Sequence, residues 1–326
     1  MKTNVLITSA SRKVNLVKAF QQALKMEGGG KVIAVDIGPL SAALYCSDVA
    51  YLVPRSSEER FVPTIIKLCK HEAITVVVPT RDEELLLFAE NKKNFEEFGT
   101  MVMVADPTVI RICIDKLNFL EFCRDHSFPV PATFSLNHIS QNSFPLFVRD
   151  RFGKGSKKAF KVRNQHELDL ILTLVEEPII QEYIEGTEYT VDVFADFNGN
   201  IISAVPRERI HVFGGESFIS RTYKNETLIH DACKLATTLH LIGHNTIQCF
   251  FDDEKTQFIE VNPRYGGGAH LGFAAGANTP LFLIQLLKNK QVKPRIGDFS
   301  DHYVMLRYTE DIFIDESITH QVNTFD

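Results

Sequence analysis

Three oxygen-bearing side chains raise the question of what this chain does. Glu260 and Asn262 stand two residues apart in the apolar run "FIEVN", and Gln248 stands upstream in "TIQCFF". Alternate residues of a strand share a face. Phe258, Glu260 and Asn262 are therefore expected on one face, with Ile259 and Val261 on the other. If "DDEKT" forms a five-residue hairpin loop, Phe251 pairs with Gln257 and Gln248 comes opposite Glu260. One carboxylate and two amide oxygens then converge. A few hard oxygen ligands of low total charge suit a Mg2+ ion that also holds phosphate, with Mn2+ as its substitute. A solvated polar hairpin is the plain alternative.

Three further patterns could handle a nucleotide. "GKGSKK" (Gly153, Lys154, Gly155, Ser156, Lys157, Lys158) is a basic glycine loop that offers backbone N–H groups and cations to a polyphosphate. It is no P-loop, because G-x-x-x-x-G-K-[ST] is absent. "IIQEYIEGTEYTVD" is an apolar strand that runs out at Gln181, Glu182, Tyr183 and Ile184, where backbone could meet an adenine edge and Glu188 a ribose. "RERIHVFGGES" sets Arg207 and Arg209 on one strand face beside a glycine turn, and paired arginines suit a carboxylate or a phosphate. A solvated hairpin tip is the plain alternative for the glycine loop, and a salt-bridged strand for the arginine pair.

The elements that must position these residues fall into two halves. The strands "NVLIT", "KVIAVD", "ITVVVP" and "MVMVA" alternate with helices, which implies a doubly wound parallel sheet over about residues 1–110. Ser11 is expected to cap the first helix. The first turn, "TSASRK", lacks the glycines of a dinucleotide fingerprint, and Thr8, Ser9, Ser11 and Arg12 could line an anion pocket at the sheet's carboxyl edge. From 111 to 326 the pattern is α+β with antiparallel hairpins, including a lid of about 130–183. Thr279 is expected to cap the last clear helix, with Pro280 at its first position.

Composition bounds the rest. The chain has 326 residues, net charge −6 and 44% apolar residues, enough for a sizeable core and without general attraction to nucleic acid or an anionic membrane. Six cysteines without a C-x-x-C pair read as reduced thiols of a cytoplasmic protein. No apolar run approaches the ~20 residues of a membrane span, and no H-E-x-x-H supports a zinc enzyme.

The order of the motifs is more specific than any one of them. D-K, P-x-P, a strand ending in Arg149 before the glycine loop, Q-E-Y-I-x-G-x-E, R-x-R with G-G-E-S, and E-V-N-P-R-x-G-G-G follow one another over Asp115–Lys288. That order resembles the ATP-grasp superfamily, most of all the carbamoyl-phosphate synthase large-subunit type and its short carboxylate–amine ligase relatives. The first sheet is similar to the α/β domain that precedes an ATP-grasp domain. The resemblance implies that Glu260 and Asn262 bind Mg2+ with Gln248 beside it. It implies that Lys116 and Arg149 hold ATP phosphates and that Gly153–Lys157 forms a mobile loop over them. Gln181–Ile184 would be the adenine hinge and Glu188 the ribose ligand. Arg264, with Arg207 or Arg209, would face the transferring phosphate.

A departure stands at Arg149-Asp150, where relatives commonly have Lys followed by Pro. Arg keeps the charge and changes its geometry. The implied chemistry is phosphorylation of a carboxylate by Mg-ATP, then attack by an amine on the acyl phosphate. Bicarbonate or carbamate phosphorylation of the carbamoyl-phosphate type, and a nucleotide sensor without turnover, are the alternatives. Small-molecule substrates are the expected partners, and a homodimer is expected by analogy with relatives.

Overall fold

The computed structural model describes residues 2–153, 158–319 and 322–325. In chain order the first part runs β1 (Val5–Ile7), α1 (Val14–Met26), β2 (Val32–Asp36), α2 (Ala42–Cys46), β3 (Val49–Leu52), α3 (Phe61–His71), β4 (Val76–Val78), α4 (Asp82–Glu96) and β5 (Met101–Val102). Two helices, α5 (Pro107–Ile114) and α6 (Lys116–Asp125), lead to β6 (Leu146–Asp150), β7 (Ala159–Val162), α7 (Gln165–Leu172) and β8 (Pro178–Glu182). Then follow β9 (Thr187–Ala195), β10 (Ile201–Phe213), β11 (Glu216–Thr222), α8 (Glu226–Thr238), β12 (Gly243–Phe251) and β13 (Thr256–Asn262). The chain ends with α9 (His270–Ala274), α10 (Thr279–Leu287), β14 (Val304–Leu306), α11 (Glu316–Thr319) and β15 (Asn323–Thr324).

The first sheet is parallel, in the order β15-β3-β2-β1-β4-β5. β1, β2 and β4 are buried along their whole length, which is why they read as continuous apolar runs rather than alternating ones. β3 and β15 were not expected from the sequence. "VAYL" is half-buried throughout, and β15 is two residues long, so neither carries a strong periodic signal. Ser11 does not cap α1. Its backbone sits at φ 47 and its N–H donates to Asp36 Oδ2 at 2.8 Å, while Lys13 holds the cap position.

The second half holds two antiparallel sheets. β7-β6-β8 forms a small three-stranded sheet, and β13-β12-β9-β10-β11-β14 a six-stranded one. Helix α8 packs its Leu228, Ala232 and Leu235 face on the larger sheet, in a core that includes Val191, Val193, Ile247 and Phe258. Asn278 caps α10 by accepting from Leu281 N, in place of the expected Thr279, whose hydroxyl meets His244 Nδ1 at 3.1 Å. All six cysteines are free thiols. Among the described residues no helix is long and apolar enough to cross a membrane.

Candidate nucleotide and metal site

The hairpin β12–β13 brings Gln248 opposite Glu260 and Thr246 opposite Asn262, as the sequence predicts. It reaches that register by another route. The loop is one residue shorter, so Phe251 pairs with Thr256 and Phe250 with Gln257, and a bulge at Ile259 restores the pairing between Cys249↔Phe258 and Gln248↔Glu260. A bulge sends two consecutive side chains toward one face. The face assignment read from strict alternation is therefore corrected. Phe258 joins Val261 in the core (0% and 2% exposed), and Ile259 comes over to the site side, where it lines a cavity.

Two features hold the bulge. Phe258 N donates to Pro129 O at 2.9 Å, and its ring meets Phe128 edge-on at 5.9 Å. On the other side the Ile259 carbonyl accepts from Arg149 Nη2 at 3.1 Å. Arg149 is 5% exposed, and its Nη1 lies 3.9 Å from Glu260 Oε2. Its Nε is buried without a partner among the described residues. Asp150 turns away. It accepts from Phe152 N at 3.2 Å and lies 3.7 Å from Lys158, so it shapes the start of the glycine loop rather than neutralising Arg149.

Lys116 reaches the same carboxylate from α6. Asp115 caps that helix by accepting from Leu117 N and Asn118 N, and it also binds Arg151 at 2.8 and 2.6 Å. This fixes the first turn and aims Lys116 inward. Its Nζ donates to Gly153 O at 2.6 Å and lies 3.9 Å from Glu260 Oε2. Burial pushes the Lys116 ammonium below the usual lysine range, with Glu260 pulling it back. Burial likewise lowers Arg149. Two covered cations share one carboxylate, an arrangement short of negative charge. Lys154, Gly155, Ser156 and Lys157 lie outside the described residues.

Beside this cluster opens a cavity of about 710 Å3. Its wall includes Arg149, Gln181, Glu182, Tyr183, Ile184, Glu188, Arg209 and Ile259. Gln181 is 2% exposed and its Nε2 has no partner among the described residues. Glu182 is held by Ala132 N at 2.8 Å, and Lys161 stands 3.8 Å over the Tyr183 ring. Glu188 pairs with Arg209 at 2.9 Å, and burial raises the Glu188 carboxyl above its usual range. A polar-ended, apolar-walled slot of this size suits a nucleoside. The donor set that meets Arg149 on this wall suits a phosphate-bound Mg2+: one carboxylate and two amides, with Asn262 Nδ2 donating to Glu260 Oε1 at 3.2 Å. Among the described residues no group of three or more His, Cys, Asp and Glu could hold a metal unaided, so the amide oxygens matter.

The arginines divide. Arg209 is engaged by Glu188, by Gly215 O at 3.1 Å and by Thr190 at 3.4 Å. Arg264 forms a fork on Asp82 of the first domain at 2.7 and 3.0 Å, and its Nη2 touches Asn262 Oδ1 at 3.4 Å. Arg207 is 2% exposed and paired with Asp192. Sequence reasoning missed Asp192 and Asp82, which lie on separate elements and carry no local pattern. In the first domain, Thr8 and Ser9 donate to buried Glu84. Asp36 accepts from Ser11 N, Ile37 N and Ser41 Oγ, which uses it in shaping the β1–α1 loop.

Comparison with known proteins agrees with this layout. Residues 5–103 match a family model described as the PylC-like N-terminal domain, and residues 175–309 match one described as an ATP-grasp in the biosynthetic pathway with the Ter operon. Among solved structures, the chain resembles Rhizobium etli pyruvate carboxylase (TM-score 0.70, 16% identity, 92% of this chain and 30% of that one). It resembles the biotin carboxylase domain of Hydrogenobacter thermophilus 2-oxoglutarate carboxylase (0.72, 15%, 92% and 73%). It also resembles the N5-carboxyaminoimidazole ribonucleotide synthetase of Thermotoga maritima (0.65, 20%, 90% and 77%). The chain thus spans less than a third of the first of these and about three quarters of the other two. A domain of PylC-like N-terminal type over the parallel sheet is thus followed, at residues 175–309, by an ATP-grasp domain that holds the larger antiparallel sheet.

Proposed function

We propose that the chain is a Mg-ATP-dependent, ADP-forming ligase that phosphorylates a carboxylate and transfers the acyl group to an amine. One observation carries this reading. Lys116 and Arg149, both covered, converge at 3.9 Å on Glu260, and Arg149 also lines a nucleoside-sized cavity. Gln181–Ile184 would receive the base, with the unpartnered Gln181 amide as donor, and Glu188 the ribose. Lys116, Arg149 and the loop from Gly153 through Lys154–Lys157 would hold the phosphates. Glu260, Asn262 and Gln248 would hold Mg2+, or Mn2+ in its place. The metal supplies charge neutralisation on the phosphoryl group being transferred.

A substrate carboxylate oxygen attacks the γ-phosphorus, the bond to the ADP oxygen breaks, and an acyl phosphate forms. An amine nitrogen then attacks the acyl carbon, phosphate leaves and the nitrogen loses a proton. Acyl phosphates hydrolyse readily, so water must be kept out, a task for the lid of about 130–183. Arg207, Arg209 and Arg264 would steady oxyanions, Arg209 once Glu188 turns to the ribose and Arg264 once Asp82 yields. With Asp150 occupied by the loop, Arg149 keeps its charge for phosphate, which argues against a sensor without turnover. A homodimer belongs to the same proposal, for which the dimeric biotin carboxylase domain of H. thermophilus is the model. A cytoplasmic setting belongs to it as well.

The test is ADP release from Mg-ATP across a panel of amino acids and amines, with a bicarbonate arm because that carboxylase domain holds MgADP and bicarbonate. ADP formed only with a particular carboxylate–amine pair is the expected result. Bicarbonate-dependent release without an organic acid would move the chain to the carbamoyl-phosphate type. Mg-ATP binding without release in any arm would favour the sensor.

A further inference from the structure

A second cavity, of about 310 Å3, opens where the first domain meets the edge of the large sheet. Among the described residues it shares no wall residue with the nucleotide slot. Asn15 comes to it from the first turn of α1, and His270, Leu271 and Ala274 from α9. The rest of the wall is the segment from Tyr303 to Tyr308, which contains β14. The glycine loop leads into it. His270 follows two residues after Gly268, and Arg307 donates to Gly267 O. The segment that starts at Asn262 and Arg264 therefore ends at this cavity.

The charges on this wall are already matched. Arg307 Nη1 meets Glu216 at 2.6 Å, its Nη2 is taken by Gly267 O, and its guanidinium carbon stands 5.7 Å from the Phe218 ring centroid. Glu216 is also met by Arg12 at 3.3 Å. Burial first, and then Arg307 and Arg207, push His270 down to about 4, with Asp192 pulling the other way, so the imidazole is neutral at pH 7. A charged group entering here would lose water and find no unmatched counter-charge among the described residues. What remains is apolar surface with uncharged polar groups. Leu271 and Met305 are buried, while Tyr303, Leu306 and Tyr308 are 48%, 71% and 79% exposed. Exposed apolar area gathered at a cavity marks a place for a ligand. The Asn15 amide and the His270 imidazole offer hydrogen bonds without charge. The volume lies at the low end of the roughly 300–1,000 Å3 of small-molecule sites, which suits a group of amino-acid size.

We propose that this cavity sets acceptor specificity by taking the uncharged apolar side chain, aromatic or branched aliphatic, of an amino-acid-sized substrate. The inference rests on the ligase reading for the bound group's role as substrate, but the binding can be tested without turnover. Ala274 is the position to change. It lines the cavity and is exposed, so a larger side chain there displaces ligand rather than core. Ala274→Phe fills the space with a ring. Ala274→Asp leaves the space open and adds an unmatched carboxylate to its wall.

The experiment is calorimetric titration of L-phenylalanine, L-leucine, L-lysine and L-glutamate into the full chain, with and without saturating Mg-ADP, alongside melting curves. Wild type is expected to bind phenylalanine or leucine about tenfold or more tightly than lysine or glutamate, the scale set by burying one apolar side chain. Ala274→Phe should weaken that binding by about tenfold or more, and Ala274→Asp should shift the preference toward lysine. Both variants should keep Mg-ADP affinity within about twofold of wild type. A wild type that binds Mg-ADP and none of the four, or that binds lysine or glutamate as tightly as the apolar pair, would overturn the subsite and leave the ligase reading standing. Folded variants that bind phenylalanine and leucine as wild type does would overturn it as well. Phenylalanine or leucine binding that Ala274→Phe abolishes, in a chain that does not bind Mg-ADP, would keep the subsite and remove the nucleotide reading.

Discussion

Replacing Glu260 by Gln keeps the side chain's shape and removes its charge. In the free protein this carboxylate is the counter-charge of Lys116 and Arg149, each 3.9 Å away. Two unit charges at that separation attract by about 4 kcal/mol at an effective dielectric of ~20. The Glu260 side chain is 23% exposed, so water recovers much of the loss, and the net destabilisation should be about 2 kcal/mol. The sign reverses for nucleotide without metal. The variant presents two covered cations and one fewer negative charge to the phosphates. It should bind metal-free ATP as tightly as wild type, or up to about tenfold more tightly, ~1.4 kcal/mol. Adding Mg2+ should then strengthen ATP binding by wild type and leave the variant nearly unmoved, because a carboxylate ligand is gone. The assay is calorimetry of ATP in chelator and in excess Mg2+ for both proteins, with melting curves to check the fold. A variant with the wild-type ratio of Mg2+ to metal-free affinity would refute the metal role. A variant that weakens metal-free ATP would refute the electrostatic argument.

Two more outcomes follow from the domain junction and the glycine loop. Burial, with Arg264 second, pushes the Lys13 ammonium from 10.5 down to about 8. The unfolded chain therefore binds more protons between those values, and this residue's penalty on stability lifts as pH rises from about 8 to 10.5. Denaturant titrations at pH 7.5 and 10 should show that gain in wild type and not in Lys13→Met; an equal gain in both would remove Lys13 as its source. Gly266→Ala places a methyl 2.7 Å from Thr246 Oγ1 and should cost about 1–3 kcal/mol by overpacking. Thr246→Ala in the same chain removes the obstructing atoms and should restore part of that loss, and strict additivity in the double-mutant cycle would count against the contact.

The elements that carried local periodicity were legible. Buried parallel strands announce themselves as short apolar runs, as "VLI" and "VVV" do. The hairpin with "FIEVN" was legible as well, and Gln248 falls opposite Glu260 as read. Asp115 before Lys116 carries a helix-start signal that the structure uses. The Ile259 bulge was not legible, because it is held by Arg149 from β6 and by Phe128 and Pro129 from the loop after α6. Nor could the crowding at the glycines of "RYGGG" be read from their own neighbourhood, because it comes from Thr246 beneath Gly266 and Arg207 beneath Gly268, where a Cβ would lie within 3 Å of a side-chain atom.

The sequence by itself determined the kinds of layer, the order of the motifs and the residue types available for phosphate and metal, since these follow from periodicity and side-chain chemistry along the chain. Tertiary structure alone decided which charges are spent and which are free. Asp82 meets Arg264 across 182 residues of sequence, and Asp192 meets Arg207 across 15. Whether an arginine is a clamp, a strut or an open donor depends on the carboxylate that packing delivers to it. That delivery is a property of the folded sheet and of no segment within it.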